Sequence, residues 1–184
     1  SQSPTLPRQA VSEPYMDWFD LSPLEADPNA GQPPLAAYRD FLQHAQDELA
    51  ARFDSGADIV DLIHARGWIV DQVLIRCWQH LLGDLDATLV AVGGYGRREL
   101  LPGSDVDIML LLGDTEDEQS GPLLEAFLML LWDIGLEVGH SVRTLQDCVE
   151  QSTADITVAT NLMEARALCG SQSLFERMRE SVGP

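Results

Sequence analysis

The sequence is poor in basic side chains. It carries 11 lysine and arginine residues against 30 acidic ones, which gives its 184 residues a formal net charge of −19 at pH 7. Proteins that bind the phosphate backbone of DNA or RNA rely on clustered Lys and Arg. The composition therefore disfavours a nucleic-acid partner and favours a protein or a small molecule.

Cysteine is also scarce. The three cysteines, Cys77, Cys148 and Cys169, lie far apart, and none takes part in a Cys-x-x-Cys or Cys/His spacing. The sequence therefore predicts neither a disulfide framework nor a cysteine-based metal site. Cys77 lies in an apolar stretch and is expected to be packed rather than reactive.

Long apolar runs are absent as well. No run approaches the roughly 20 residues that a membrane-spanning helix needs, and the first residues do not show a basic region followed by an apolar one. We therefore expect a protein of the cytoplasm that does not enter a membrane.

The residues that are present divide the chain into three expected segments. Residues 1–33 are rich in proline and acidic side chains, and we interpret them as a loosely ordered extension because proline prevents a long helix. Residues 34–84 are predicted to form a helical annex, and residues 85–184 the core with its following helices. Three aromatic residues of the extension are expected to dock on the rest of the chain as an apolar clip: Tyr15, Trp18 and Phe19.

Hydrophobic periodicity gives the expected elements. Apolar residues at three- and four-residue spacing predict a helix over 35–53 and a second helix over about 57–82, with a break near Gly67. Short apolar runs bounded by turns predict strands, and short helices are expected from residue 145 to about 179. The predicted strands are 88–92, 105–112 and 137–144, with an acidic loop over 114–118 and a helix over 123–132. These elements indicate the α/β (α+β) class, with a small mixed sheet backed by helices.

Two carboxylates open the second predicted strand. Alternate side chains of a strand share a face, so Asp105 and Asp107 project together while Val106 and Ile108 point into the layer behind. Their oxygen atoms suit Mg²⁺, with Mn²⁺ as the alternative, and such ions align an in-line displacement at phosphorus. We predict that Asp105 and Asp107 are catalytic metal ligands, although an Asp-x-Asp pair at a strand edge is often only a solvated face.

A glycine turn precedes these carboxylates. Without a Cβ, Gly93 and Gly94 let the backbone approach a ligand, and their N–H groups can face a phosphate oxygen if a helix starts there. Ser104 can hydrogen-bond a phosphate, although Gly-Ser-Asp is also ordinary turn chemistry. Arg97 and Arg143 can neutralise triphosphate charge, or pair with the two aspartates when substrate is absent. Strand, Gly-Gly, Asp-x-Asp and strand in this order predict a metal-dependent nucleotidyltransferase site.

These residues resemble the DNA polymerase β-type nucleotidyltransferase superfamily. Segment 90–112, followed by 131–144 and 155–166, more closely resembles the amino-terminal domain of the bacterial PII uridylyltransferase/uridylyl-removing enzymes. The Gly-His-Ser-Val-Arg-Thr and Asp-Ile-Thr-Val-Ala-Thr-Asn-Leu segments are the specific part of this similarity, which covers residues 35–180. The resemblance implies a polymerase β-like fold and transfer of UMP from UTP to a tyrosine of the nitrogen-signalling protein PII, by a two-metal mechanism under glutamine control.

The same resemblance implies further domains. Proteins of this family continue with a phosphohydrolase domain that removes UMP and with paired domains that sense glutamine. We therefore expect this chain to be a fragment without the uridylyl-removing domain.

The chain departs from the family pattern at two positions of the glycine turn. The family usually has Gly-Tyr-Gly-Arg-Gly-Glu-Leu-His-Pro, and here Arg98 replaces a glycine and Leu101 a histidine. Both changes leave the metal carboxylates intact, but they leave open how the triphosphate or the protein substrate is positioned. Arg98 can equally add a phosphate contact.

A third carboxylate is common in the superfamily, on the third strand, where this chain has Gly-His-Ser at 139–141. The nearby acids are Glu137, Asp155 and Glu164. We favour Asp155 as the third catalytic carboxylate because it opens a polar stretch at helical spacing. A role as a helix N-cap is the alternative for the same residue.

Two other functions fit the residues. Nothing in the glycine turn reads a base edge, so adenylyl transfer to a protein is the first alternative. The second is a regulatory nucleotide-binding module that has lost its chemistry, which the two departures and the missing third carboxylate suggest.

Overall fold

The computed structural model describes four stretches of the chain, residues 13–25, 35–83, 85–113 and 120–182. Most of the proline-rich extension and the acidic loop predicted over 114–118 lie outside these stretches. The described residues begin with two short 3₁₀ turns and then form seven α-helices and four β-strands. In chain order the elements are the turns Pro14–Trp18 and Ser22–Leu24, α1 (Leu35–Asp54), α2 (Ile59–Leu82), β1 (Ala87–Ala91), α3 (Gly93–Gly96), β2 (Val106–Leu112), α4 (Ser120–Asp133), β3 (Val138–Thr144), α5 (Leu145–Ala154), α6 (Ile156–Met163), β4 (Arg166–Gly170) and α7 (Gln172–Val182).

The four strands form one mixed sheet in the order β3-β2-β1-β4. β1 pairs antiparallel with β2 and with β4, whereas β2 and β3 run parallel. In this register Asp107 lies opposite Gly139, and Ala91 at the end of β1 lies opposite Arg166 of β4. The predicted α/β class with a small mixed sheet is therefore confirmed.

Helices cover both faces of the sheet, because successive side chains of a strand point to opposite sides. On one face Leu89, Ile108 and Leu110 pack in a core with residues of α1, α2 and α4. On the other face Val90 and Met109 pack with residues of α5, α6 and α7. A strand that is buried on both faces is apolar at nearly every position, as β2 is. The annex helices share the first core with the sheet, and the predicted domain boundaries remain predictions.

The second annex helix runs without interruption, so the predicted break near Gly67 is wrong. Leu62 and Ala65 before the glycine and Ile69 after it are all buried in α2. A glycine inside a helix costs about 1 kcal/mol relative to alanine. Burial of a continuous apolar face outweighs that cost, since most helical stability in proteins comes from tertiary packing.

The fourth strand was not predicted, because residues 145–179 were expected to hold only helices. β4 has five residues, all of them partly or largely exposed, and it lies at the edge of the sheet. Such a short segment shows no alternating apolar pattern. Its pairing with β1 is a tertiary interaction that the local sequence does not predict.

The aromatic clip predicted in the extension is present. Tyr15 is buried, and its ring and that of Phe19 both lie 6.3 Å from the ring of Trp68 on α2. Trp18 lies against the guanidinium of Arg52, whose carbon is 4.1 Å from the ring centre. The described part of the extension is therefore fixed to the annex by aromatic contacts.

The three cysteines are free. Cys77 and Cys148 are fully buried, which confirms the expectation for Cys77. Burial raises the pKa of Cys77 and Cys169 to about 12 and that of Cys148 to about 11. All three side chains are therefore thiols at neutral pH. In the described part of the chain no helix combines the length and apolarity that crossing a membrane requires.

Candidate active site

The carboxylate of Asp107 lies between two glycine backbones. A Cβ placed on Gly139, its partner on β3, would stand 2.6 Å from Asp107 Oδ1. A Cβ placed on Gly93 would stand 3.0 Å from Oδ2, and Gly93 also has a left-handed backbone with φ of 60°. Any side chain at Gly139 would therefore displace the carboxylate, and Gly93 combines a close approach with a conformation that favours glycine.

In the described part of the chain no ion pair neutralises the charge of Asp107. Within the described residues neither Asp105 nor Asp107 forms an ion pair. Partial burial, and then the charge of Asp105, raise the pKa of Asp107. The two carboxylates thus repel each other, and neither is paired with a cation in the described residues, which is the electrostatic condition that a bound metal ion relieves.

A cavity of about 370 Å³ opens beside Asp107. Its walls come from the glycine turn, from β3 and from α6. Gly139, Ser141 and Arg143 alternate along β3 on the face of Asp107, and α6 contributes Asn161. Arg143 has no carboxylate partner within 4 Å among the described residues. The cavity therefore presents a carboxylate and a cationic group to one ligand.

These donors fit a magnesium ion that shares its coordination with a substrate. Mg²⁺ in proteins is usually held by one or two carboxylates, and water and substrate phosphates complete its octahedron. In the four described stretches no group of three or more His, Cys, Asp or Glu side chains could hold a metal ion. Asp105 and Asp107 therefore provide oxygen ligands of the right chemistry without a closed protein cage.

The glycine turn forms the short helix α3. The Gly96 N–H donates to the Val92 carbonyl at 3.0 Å, and the Arg97 N–H donates to the Gly93 carbonyl at 3.1 Å. A Cβ on Gly96 would stand 2.7 Å from the carbonyl oxygen of Ala91, so the helix folds back tightly onto the end of β1. The first N–H groups of any helix have no partner inside it. A helix therefore starts at Gly93, which is the condition under which the N–H groups of the glycine turn were expected to face a phosphate oxygen.

Arg98 has a left-handed backbone, with φ of 61°, which no other non-glycine residue in the described chain has. This is the position at which the resembled family usually has glycine. Glycine adopts this conformation without steric cost, whereas the arginine here carries the cost of a Cβ in it.

Five predicted site residues do not line the cavity of Asp107. Asp105 is exposed and lies one residue before the start of β2, and Gly94 belongs to α3 but not to the cavity wall.

The other three contact different parts of the chain. Arg97 pairs with Glu99 at 3.3 Å and with Glu164 at 3.2 Å, and not with the two aspartates. Ser104 lines a different cavity, between the annex helices and the loop before β2. Asp155 accepts a hydrogen bond from the Thr157 N–H at 2.8 Å, which makes it the N-cap of α6.

The other two acids considered for the third carboxylate also lie elsewhere. Glu137 lines the cavity that holds Ser104, and Glu164 is occupied by Arg97. None of the acids that were considered therefore lines the cavity of Asp107.

Sequence reasoning missed the roles of Gly139 and Asn161. Gly139 was noted only as standing where a third carboxylate was expected, yet it creates the space that Asp107 occupies. An isolated glycine within a predicted strand is a known signal for close approach of another group. Asn161 gave no comparable signal, because its place in the cavity depends on how α6 packs on the sheet.

The chain matches known proteins over most of its length. Residues 72–159 match the family model of the nucleotidyltransferase domain. The chain is 49% identical over 164 residues to a bifunctional uridylyltransferase/uridylyl-removing enzyme of Pseudomonas putida strain GB-1, which covers 88% of this chain and 18% of that enzyme. It is 48% identical over 167 residues to the enzyme of the same name from Pseudomonas aeruginosa strain UCBPP-PA14, with 90% and 19% covered. For Ectopseudomonas mendocina strain ymp the identity is 45% over 171 residues, with 91% and 19% covered.

These matches confirm the resemblance that the motifs carried. The chain contains a nucleotidyltransferase domain of the polymerase β-like fold, as expected, and it is similar to uridylyltransferases. It spans less than a fifth of the length of the curated relatives that it matches.

Proposed function

We propose that this chain carries the uridylyltransferase site of a bifunctional enzyme and transfers UMP from UTP to a tyrosine of the PII signalling protein, in the cytoplasm. The observation that carries the proposal is the Asp107 carboxylate, which lies between two glycine backbones beside a cavity that also contains Arg143. This carboxylate has no ion-pair partner among the described residues. Its support from known proteins is the similarity to uridylyltransferases over 88% of the chain.

In this proposal Asp105 and Asp107 hold Mg²⁺, with Mn²⁺ as a substitute. When bound, the ions lower the pKa of the attacking tyrosine hydroxyl and stabilise the charge on the departing pyrophosphate. The amide groups of Gly93 and Gly94 receive the triphosphate at the start of α3. Arg143 neutralises part of its charge across the cavity.

Three residues remain in the proposed site with a condition attached to each. Arg97 contacts the triphosphate only if it leaves Glu164, and Ser104 only if the loop before β2 turns toward the substrate. Asp155 serves as the third carboxylate only if it gives up the N-cap of α6.

The test is calorimetric binding of UTP and of ATP, each with and without Mg²⁺, to the wild-type chain and to Asp107→Asn. Asp40→Asn is the matched control, because it changes the net charge equally at an exposed position on α1. We expect Mg²⁺-dependent binding of UTP in preference to ATP, lost in Asp107→Asn and kept in Asp40→Asn.

A transfer assay with PII as the acceptor completes the test. Incorporation of UMP into a PII tyrosine by the wild-type chain supports the proposal, and measurable incorporation by the double variant Asp105→Asn, Asp107→Asn contradicts the mechanism. Preference for ATP would replace the proposal with adenylyl transfer. Tight binding of metal and triphosphate without turnover on any tyrosine would replace it with a regulatory module that has lost its chemistry.

A further inference from the structure

A buried charged network lies beside the glycine turn. It joins Asp71 of α2, Tyr95 of α3 and Arg166 of β4. The Tyr95 hydroxyl donates to Asp71 Oδ1 at 2.5 Å. Arg166 donates to the same carboxylate from both ends of its guanidinium, from Nη1 to Oδ2 at 2.8 Å and from Nη2 to Oδ1 at 3.2 Å. Asp71 is 7% exposed and Tyr95 only 1%, so these bonds form away from solvent.

Tyr95 is held by its backbone as well as by its side chain. Arg166 Nη2 also donates to the Tyr95 main-chain carbonyl at 3.3 Å. The guanidinium carbon of Arg166 lies 5.3 Å from the centre of the Tyr95 ring, within the range of a cation–π interaction. One arginine therefore fixes the position of the central tyrosine of Gly-Gly-Tyr-Gly.

The short helix α3 needs such an anchor. It has only four residues, Gly-Gly-Tyr-Gly, and glycine is among the poorest helix formers. A single helical turn is unfavourable by itself, because it fixes several residues for very few hydrogen bonds. Tyr95 is the one residue of this helix with a side chain that can attach it to the rest of the protein.

The network contributes little through its charges alone. Desolvation of a buried ion pair offsets much of its electrostatic gain, and Arg166 Nε is buried without a partner in the described structure. Burial, and then the charge of Asp71, raise the pKa of Tyr95 well above its ordinary value, so its hydroxyl remains a donor. The distinctive effect of these three residues is to fix one conformation of α3.

We propose that Asp71, Tyr95 and Arg166 are positioning residues that hold α3 against the Asp107 carboxylate and thereby set the affinity of the site for a metal-bound nucleoside triphosphate. The ligand part of this inference rests on the proposed function, whereas the anchoring of α3 does not. Tyr95 and the Asp107 carboxylate are connected through few residues. Gly93, which approaches Asp107 Oδ2, lies only two residues before Tyr95.

The test compares Tyr95→Phe with Thr88→Val in the 184-residue chain. Thr88 is also fully buried, and its hydroxyl donates to the Ser171 carbonyl at 2.6 Å, away from the site on the other side of β1 from β2. Each variant loses one buried hydroxyl donor and keeps its shape. In Tyr95→Phe the Asp71 carboxylate keeps Arg166 as its partner, so the fold is expected to survive.

Two quantities are measured for each variant, namely the Kd of Mg²⁺-UTP by calorimetry and the amide exchange rates of Gly96 and Arg97 by NMR. Both variants are expected to lower the melting temperature. Only Tyr95→Phe is expected to speed exchange in α3 and to raise the Kd roughly fivefold, the loss associated with about one hydrogen bond.

Equal Kd values and equal exchange rates in the two variants would overturn the proposal and leave the network a purely structural role. If the wild-type chain binds no Mg²⁺-UTP, the proposed function fails separately, and the exchange rates still decide whether Tyr95 anchors α3. Unchanged exchange of Gly96 and Arg97 in Tyr95→Phe would then exclude the anchoring.

Discussion

Asp71 and Asp107 both lie at least partly inside the protein, but the chain surrounds their carboxylates differently. Asp71 accepts three hydrogen bonds, from the Tyr95 hydroxyl and from two nitrogens of Arg166. Asp107 has no cationic partner in the described residues and instead fits between the backbones of Gly93 and Gly139. The comparison teaches that the protein neutralises the carboxylate of Asp71 with its own side chains, and that these contacts join α2 to α3 and β4. The carboxylate of Asp107, which opens onto a cavity, has no such partner among the described residues.

The largest expected effect is a difference in the free energy of unfolding between variants of the two aspartates. Asp71→Ala leaves the largely buried guanidinium of Arg166 without its counter-ion, and removal of one partner of a buried pair costs about 3–5 kcal/mol. Asp107→Ala removes an uncompensated charge, and we expect the free energy of unfolding to stay within about 0.5 kcal/mol of the wild type. Urea denaturation of both variants, followed by circular dichroism, measures the difference.

A similar loss of stability in both variants would show that Asp107 is also structural, and the contrast between the two carboxylates would then disappear. The measurement is made without metal or nucleotide, because a ligand that binds only the folded state would change the apparent stability of the wild type and not of Asp107→Ala.

The second effect concerns the space around Asp107. In Gly139→Ala the new Cβ meets only the carboxylate of Asp107 within 4 Å, so we expect the side chain to turn away while the fold is kept. Misplacement of a catalytic group by about 1 Å can cost on the order of 100-fold in rate. A UMP-transfer assay, with calorimetry of Mg²⁺-UTP binding beside it, should show a large loss at an unchanged melting temperature.

Gly121→Ala is the control for that experiment, since Gly121 is an exposed glycine of α4 where a Cβ would meet nothing within 4 Å. It should leave transfer unchanged. Full activity in Gly139→Ala would mean that Asp107 does not need the space that Gly139 provides.

The smallest effect compares two residues that share one backbone conformation. Gly93 and Arg98 have φ values of 60° and 61°, but only the arginine has a Cβ to strain there. We expect Arg98→Gly to raise the free energy of unfolding by less than about 1 kcal/mol, because relief of the strain exceeds the entropy gained by the unfolded chain. Chemical denaturation is compared with that of Arg98→Ala, which removes the arginine side chain beyond the Cβ. The difference between the two variants then measures the effect of the Cβ on the backbone conformation. A lower stability for Arg98→Gly than for Arg98→Ala would contradict the expectation that the Cβ of residue 98 is strained.

Three strands of the sheet and the position of Asp107 on β2 could be predicted because their signals are local. The role of Asp105 and Asp107 as metal ligands stays a prediction. Two-residue alternation placed Asp105 and Asp107 on one face, and the continuous apolar run after them matched a strand buried on both sides. The glycine turn was equally local, since a Gly-Gly pair after an apolar strand indicates a close backbone approach. The residues that hold Asp107 in place belong to β3 and α3, and only Gly93 among them carried a sequence signal that was used.

The buried network could not be predicted for a different reason. Asp71 lies within a helical pattern and Arg166 at the start of a strand that was expected to be helical, so neither showed what it would contact. Tyr95 was noted only as part of the glycine motif. Their meeting depends on the packing of α2 against α3 and on the pairing of β4 with β1, which are tertiary interactions. A break was likewise expected at Gly67 because local helix propensity was weighed without the burial that overrides it.

The bond between Asp71 and Arg166 joins residues 95 positions apart, and this separation orders events during synthesis. A chain grows from its amino terminus, so α2 and the glycine turn leave the ribosome well before β4 does. Contacts between distant positions form late, because the intervening loop must first be closed. Until residue 166 is available, Asp71 lacks its counter-ion. During that time Tyr95 of α3 can bond to Asp71 but not to Arg166. The network that anchors α3 is thus completed only after the edge strand β4 has left the ribosome.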